Sequence, residues 1–181
     1  MPWNDDACAG IDAKGSAFAS SVARFQAEDD LAAPPSGLLV ITGSSSIRRW
    51  ETASRSLASW AVVQRGIGGS HMRDIAAWAE QLVLRHHPRG VLVFAGTNDI
   101  ADGVPPDEVV RSWRCRVQKV RGALGRVPVI YIGITPAPSR WSLREENDAV
   151  NSEIARLARL HCAGSSMSTC SRWTETRPAC R

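Results

Sequence analysis

Residues 38–50 read Leu-Leu-Val-Ile-Thr-Gly-Ser-Ser-Ser-Ile-Arg-Arg-Trp. An unbroken Leu/Val/Ile run of this length suits a strand buried on both faces, the condition of strands in a parallel sheet. The break at Gly43 and the helix-compatible residues after the serines predict a tight turn and a helix start. In such sheets ligand chemistry gathers at the carboxyl ends of the strands. A serine at this turn is therefore placed to act as a nucleophile. The other reading of Ser44, Ser45 and Ser46 is as caps of the following helix.

The rest of the chain repeats the alternation. Phe18, Val22 and Phe25 recur at helical spacing until Pro34-Pro35-Ser36-Gly37 ends a leading helix. After the strand over 38–42 the pattern predicts a helix to about Arg55, then a second strand over 60–63. The loop Gln64-Arg65-Gly66-Ile67-Gly68-Gly69-Ser70 follows. Ile75, Ala76, Ala79, Leu82 and Val83 form one helical face, closed by His86-His87-Pro88-Arg89-Gly90. A third strand over 91–95 runs into Gly96-Thr97-Asn98-Asp99. Val109, Trp113, Val117, Val120 and Leu124 mark a helix that opens on Pro105-Pro106-Asp107-Glu108, with acids in its first turn. A fourth strand over 127–134 and a helix through about Leu160 complete the pattern. Strands alternating with helices imply a parallel sheet covered on both faces, with right-handed crossovers. The expected fold is a single α/β domain over residues 15–160, behind a loose segment over 1–14. The tail over 161–181 has no apolar run and is expected to be loop.

Composition narrows the function class. At 181 residues, 44% hydrophobic and 22% charged, the chain has the usage of an ordinary globular domain. Its net charge of +4 comes from arginines scattered among acids, with Lys14 and Lys119 the only lysines, so no basic patch points to nucleic acid. No stretch reaches a membrane span, and the acidic opening Met-Pro-Trp-Asn-Asp-Asp is unlike a signal peptide, which predicts a cytoplasmic protein. The five cysteines show no Cys-x-x-Cys pair, and neither a zinc site nor a disulfide framework is expected.

Three loops thus follow three strands at one end of the sheet. They carry Gly43-Ser44-Ser45, Gly66-Ile67-Gly68-Gly69-Ser70 and Gly96-Thr97-Asn98-Asp99. Acyl transfer needs a hydroxyl at the carbonyl carbon and hydrogen-bond donors where the oxyanion forms. In this order and context the three blocks resemble those of the SGNH, or GDSL-type, hydrolase family of esterases and lipases. The resemblance covers about residues 15–160. It implies a three-layer α/β/α domain with a flavodoxin-like parallel sheet, and hydrolysis of a small-molecule carboxylic ester without metal or organic cofactor. By position it implies Ser45 as the nucleophile, with Ser44 where the family has aspartate. Gly69 and Asn98 are the implied oxyanion donors. Residue by residue, Gly68 and Gly69 can also be read as a turn, and Asn98-Asp99 as a loop cap.

The family's last block, Asp-x-x-His, supplies the general base and its orienting carboxylate. This sequence has no Asp-x-x-His, and no fifth strand is legible after residue 160. A shift of reading frame near His161 would account for both. Without a base the chain would be an impaired remnant of the fold, at most a binding domain. Of the remaining histidines, His71 is nearest to the site by topology but is expected to start a helix. His86 and His87 are expected as exposed caps at the far end of that helix, about 20 Å away at 1.5 Å per residue. His161 closes a helix that runs away from the site.

Overall fold

The computed structural model describes residues 5–14, 16–35, 37–162 and 167–170. Its five strands are β1 (Leu39–Gly43), β2 (Val62–Gly66), β3 (Gly90–Phe94), β4 (Val129–Ile132) and β5 (Met167–Cys170), all parallel, in the order β2-β1-β3-β4-β5. This is the flavodoxin-like order, and the α/β class expected from the sequence is the one found. The four expected strands are present. The expectation of no fifth strand is corrected, because Met167–Cys170 lies beside β4. The remainder of the expected tail lies outside the described residues.

Leu38, Val40, Val91, Val93, Val129 and Tyr131 face the larger core. It is closed by α1 (Ala19–Leu31), α4 (Met72–Ala77), α5 (Ala79–Leu82), α6 (Thr97–Ala101), α7 (Pro106–Leu124) and α8 (Arg144–Cys162). Leu39 and Ile41 point the other way, onto Ile47 and Ala53 of the short helices α2 (Ser45–Arg48) and α3 (Ala53–Ser56). This period-two alternation buries both faces of β1, which is why its run over Leu39, Val40 and Ile41 is unbroken apolar. The long helix α7 has Pro106 in its first turn, Asp107 and Glu108 at the positive end of its dipole and Arg121 in its last turn. Its buried face centres on Trp113, whose ring meets that of Tyr131 at 5.0 Å between centroids.

Two expectations about the N-terminal part are corrected. Residues 5–14 are not loose: a 3-10 turn (Asp5–Cys8) packs on α7, and Ala7 and Ile11 are buried with Ala76 and Cys115. Cys8 and Cys115 are joined by a disulfide, where none was expected. The two cysteines stand 107 residues apart. Only packing of the segment on α7 brings them together, and sequence spacing carries no trace of that.

His86 is not an exposed cap. Its side chain is 2% exposed, and Nε2 lies 3.5 Å from Asp29 Oδ2. Asp29 also pairs with Arg65 and lies near Arg85, and Asp29, Arg85 and His86 line a cavity of about 550 Å³ between the end of α1 and the 3-10 turn Leu84–His86. Burial holds the His86 imidazole below its ordinary range. Asp29 pulls it up, and Arg65 and Arg85 push it further down. With the folded value depressed, the unfolded chain takes the proton first, so stability is complete above about pH 6.5 and falls as pH drops toward the folded value. The urea midpoint is therefore expected to fall between pH 7.5 and pH 5, and His86→Gln to flatten that slope. Equal slopes in the two proteins would remove His86 from the pH response.

Candidate functional site

The loops after β1, β2 and β3 meet at the switch point of the sheet, where β1 connects outward to β2 on one side and β3 lies on the other. A side chain on Gly43 would run into the Phe94 carbonyl, so only glycine lets β1 end this close to β3. The Ser44 amide then donates to Phe94 O at 3.1 Å, and the Ile67 amide donates to Gly43 O at 2.8 Å, tying all three strand ends together.

Ser44 is buried at the N-cap of α2, and its side chain makes no capping hydrogen bond. The capping reading of the serines therefore finds no support at Ser44. Ser45 is the first residue of α2 and is half-buried. The helix is held by the side-chain amide of Gln64, which donates to the carbonyls of Ile47 and Trp50.

Gly69 has φ +80°, is exposed, and has open space where a side chain would stand. Ser70 closes the turn from inside, its hydroxyl donating to Ile67 O at 2.9 Å. The third loop braces the second. Asn98 Nδ2 donates to Ser70 O at 3.0 Å, and both carboxylate oxygens of the buried Asp99 accept from the Met72 amide, at 2.9 and 3.1 Å. Burial raises the Asp99 pKa, against the lowering effect of that amide and of nearby His71. An amide nitrogen carries two hydrogens, and Ser70 uses one of those of Asn98. The structure thus connects Asn98 directly to the Gly69 loop. The turn and loop-cap readings of these residues describe part of what they do.

His71 is occupied elsewhere. It is the N-cap of α4, where it forms a capping box with Asp74: its side chain accepts from the Asp74 amide, and Asp74 Oδ2 accepts from the His71 amide at 2.8 Å. Its Nε2 lies 2.8 Å from Asp102 Oδ2. With both ring nitrogens engaged, His71 has no lone pair left for Ser45. His86 and His87 line the cavity beside Asp29, and the side chain of His161 lies outside the described residues.

Two residues around these loops were not picked out by the sequence. The backbone of Arg48 fills the place a side chain on Gly66 would take, and its guanidinium fills that of Gly68, with Cζ 2.8 Å from the position of a Cβ. At the third loop, Arg140 Nη1 donates to Thr97 O at 3.3 Å. Only the run of glycines in Gly66-Ile67-Gly68-Gly69 hinted that something presses on this loop.

Fold and loops together define a doubly wound α/β domain with a serine, an open glycine turn and an asparagine at its switch point. The chain belongs to the GDSL-like lipase/acylhydrolase family, whose model matches residues 29–167. Solved structures agree on the fold. A GDSL-like lipase from Bacteroides thetaiotaomicron is 19% identical with a TM-score of 0.66, over 83% of this chain and 78% of that one. AlinE4, an SGNH-hydrolase family esterase, is 17% identical with a TM-score of 0.58, over 74% and 75%. A catalytic mutant of an acetylxylan esterase from Geobacillus stearothermophilus is 17% identical with a TM-score of 0.56, over 73% and 75%. No curated protein matches the chain. Among the described residues no helix is long and apolar enough to cross a membrane.

Proposed function

We propose that the chain hydrolyses small carboxylic esters through Ser45. Its hydroxyl oxygen attacks the carbonyl carbon. The amides of Ser45 and Gly69 and the free hydrogen of the Asn98 amide receive the oxyanion, and water releases the acyl group. The observation that carries this reading is the open, exposed turn at Gly69, braced by Asn98 at the same strand ends as Ser45. Among the described residues no histidine is left to take the Ser45 proton. It passes to solvent, and turnover is slow. Removing the general base of a serine hydrolase costs about 10⁶ in turnover, while oxyanion donors and binding alone leave roughly 10³–10⁴ over water. The engagement of His71 by Asp102 and Asp74 favours a second reading, a remnant of the fold that keeps the pocket and not the turnover.

Hydrolysis of p-nitrophenyl acetate by the chain and by Ser45→Ala separates the two. The expected result is slow turnover that rises with pH and vanishes in Ser45→Ala. Equal rates in both proteins would leave the remnant.

No cofactor enters this chemistry. The Cys8–Cys115 bridge favours an oxidising compartment over the cytoplasmic location expected from the sequence.

A further inference from the structure

Two of the three glycines in Gly66-Ile67-Gly68-Gly69 are shaped around one residue. Gly66 gives way to the backbone of Arg48 and Gly68 to its guanidinium, which therefore lies one residue from Gly69. The guanidinium of Arg140, on Thr97 O, lies one residue from Asn98. Each of the two loops proposed to receive the oxyanion thus has a guanidinium beside it. Among the described residues neither arginine has a carboxylate within ion-pair distance. The nearby acids are spoken for: Asp99 is buried on the Met72 amide, Asp74 caps α4, and Asp102 holds His71. Arg48 is exposed and Arg140 half-buried, so both remain open to an incoming group.

Resting on the proposed esterase reading, we propose that this cleft selects an ester whose acyl part carries an anionic group. Arg48 and Arg140 are its recognition residues. A carboxylate two carbons from the scissile carbonyl reaches past the oxyanion donors to the guanidinium groups. There charge-assisted, bidentate hydrogen bonding is available to it and not to a neutral acyl chain. Because both cations stand at the rim, the preference is expected to weaken as salt screens them.

The experiment compares kcat/KM for mono-(p-nitrophenyl) succinate with that for p-nitrophenyl acetate, in the chain and in Arg48→Gln, Arg140→Gln and the double variant. The anionic ester is expected to be favoured about tenfold, the scale of one charge-assisted contact. The ratio should collapse toward one in the double variant, whatever happens to the absolute rates. A ratio near one in the unmodified chain, or an unchanged ratio in the variants, overturns the proposal. An equal fall for both esters would make Arg48 a positioning residue for the Gly68–Gly69 turn.

A binding arm keeps the inference independent of turnover. Monomethyl succinate and dimethyl succinate are titrated into Ser45→Ala, and the amide resonances of Gly68 and Gly69 are followed by NMR. Tighter binding of the half-ester that is lost in the double variant supports the inference even if no ester is hydrolysed, in which case only the esterase reading fails. Hydrolysis with equal binding of the two esters does the reverse.

Discussion

The double replacement Cys8→Ala with Cys115→Ala is expected to lower the unfolding free energy by about 4 kcal/mol. The bridge closes a loop with a sequence separation of 107 residues. In the chain-entropy description, cross-linking a loop of about 100 residues removes roughly 4.7 kcal/mol of denatured-state freedom, and loss of native bridges typically costs about 2–5 kcal/mol. Against a total of about 5–15 kcal/mol for a domain, this is a large share. The segment would still be attached, because Arg73 donates to Gly10 O at 2.6 Å, Arg111 donates to Ala9 O at 3.0 Å, and Ala7 and Ile11 stay packed on Ala76. Folding should therefore survive at lower stability. Urea unfolding with and without dithiothreitol measures the effect. Reductant should bring the unmodified chain to the midpoint of the variant and leave the variant unmoved. An unmodified chain that ignores the reductant would mean that the bridge contributes nothing to stability.

What the sequence showed of this fold follows from which forces leave a periodic trace. β1 is buried on both faces and β3 on one with the other half-buried, so their apolar runs mark them within a residue. β2 is displaced from 60–63 to Val62–Gly66, because Gln64 and Arg65 continue the strand with polar side chains. Gln64 holds α2, and Arg65 pairs with Asp29 on α1, a partner 36 residues away. The helix expected to run to about Arg55 is broken into α2 and α3, and the one from Met72 is divided at Trp78. The pairing of β5 is made by backbone groups, and Met167-Ser168-Thr169-Cys170 carries no apolar run to betray it. At the site, the three loops were legible through their glycines and polar residues. The engagement of His71 was not, since Asp102 is 31 residues away on a different element. Nor was the burial of His86, which depends on the distant Asp29.

Asn98→Ala is expected to lower the Ser45-dependent rate by about 10²–10³, the usual cost of removing one oxyanion-hole donor. In the proposed mechanism the side chain has two jobs, and they respond differently to the change. Toward Ser70 O it makes a half-buried hydrogen bond of 3.0 Å, and a bond of that kind is worth about 1 kcal/mol to stability. On the proposed reading its second hydrogen meets charge that develops only as Ser45 attacks, so the loss there is expected on kcat rather than on KM. The loop has other support, because Asp99 holds the Met72 amide and the Ser70 hydroxyl closes the turn onto Ile67 O. The urea midpoint should therefore move little while turnover collapses. A large loss of stability with a proportionate loss of rate would make Asn98 a brace for the Gly69 turn. An unchanged rate would remove Asn98 from the oxyanion site and leave Ser45 with backbone donors alone.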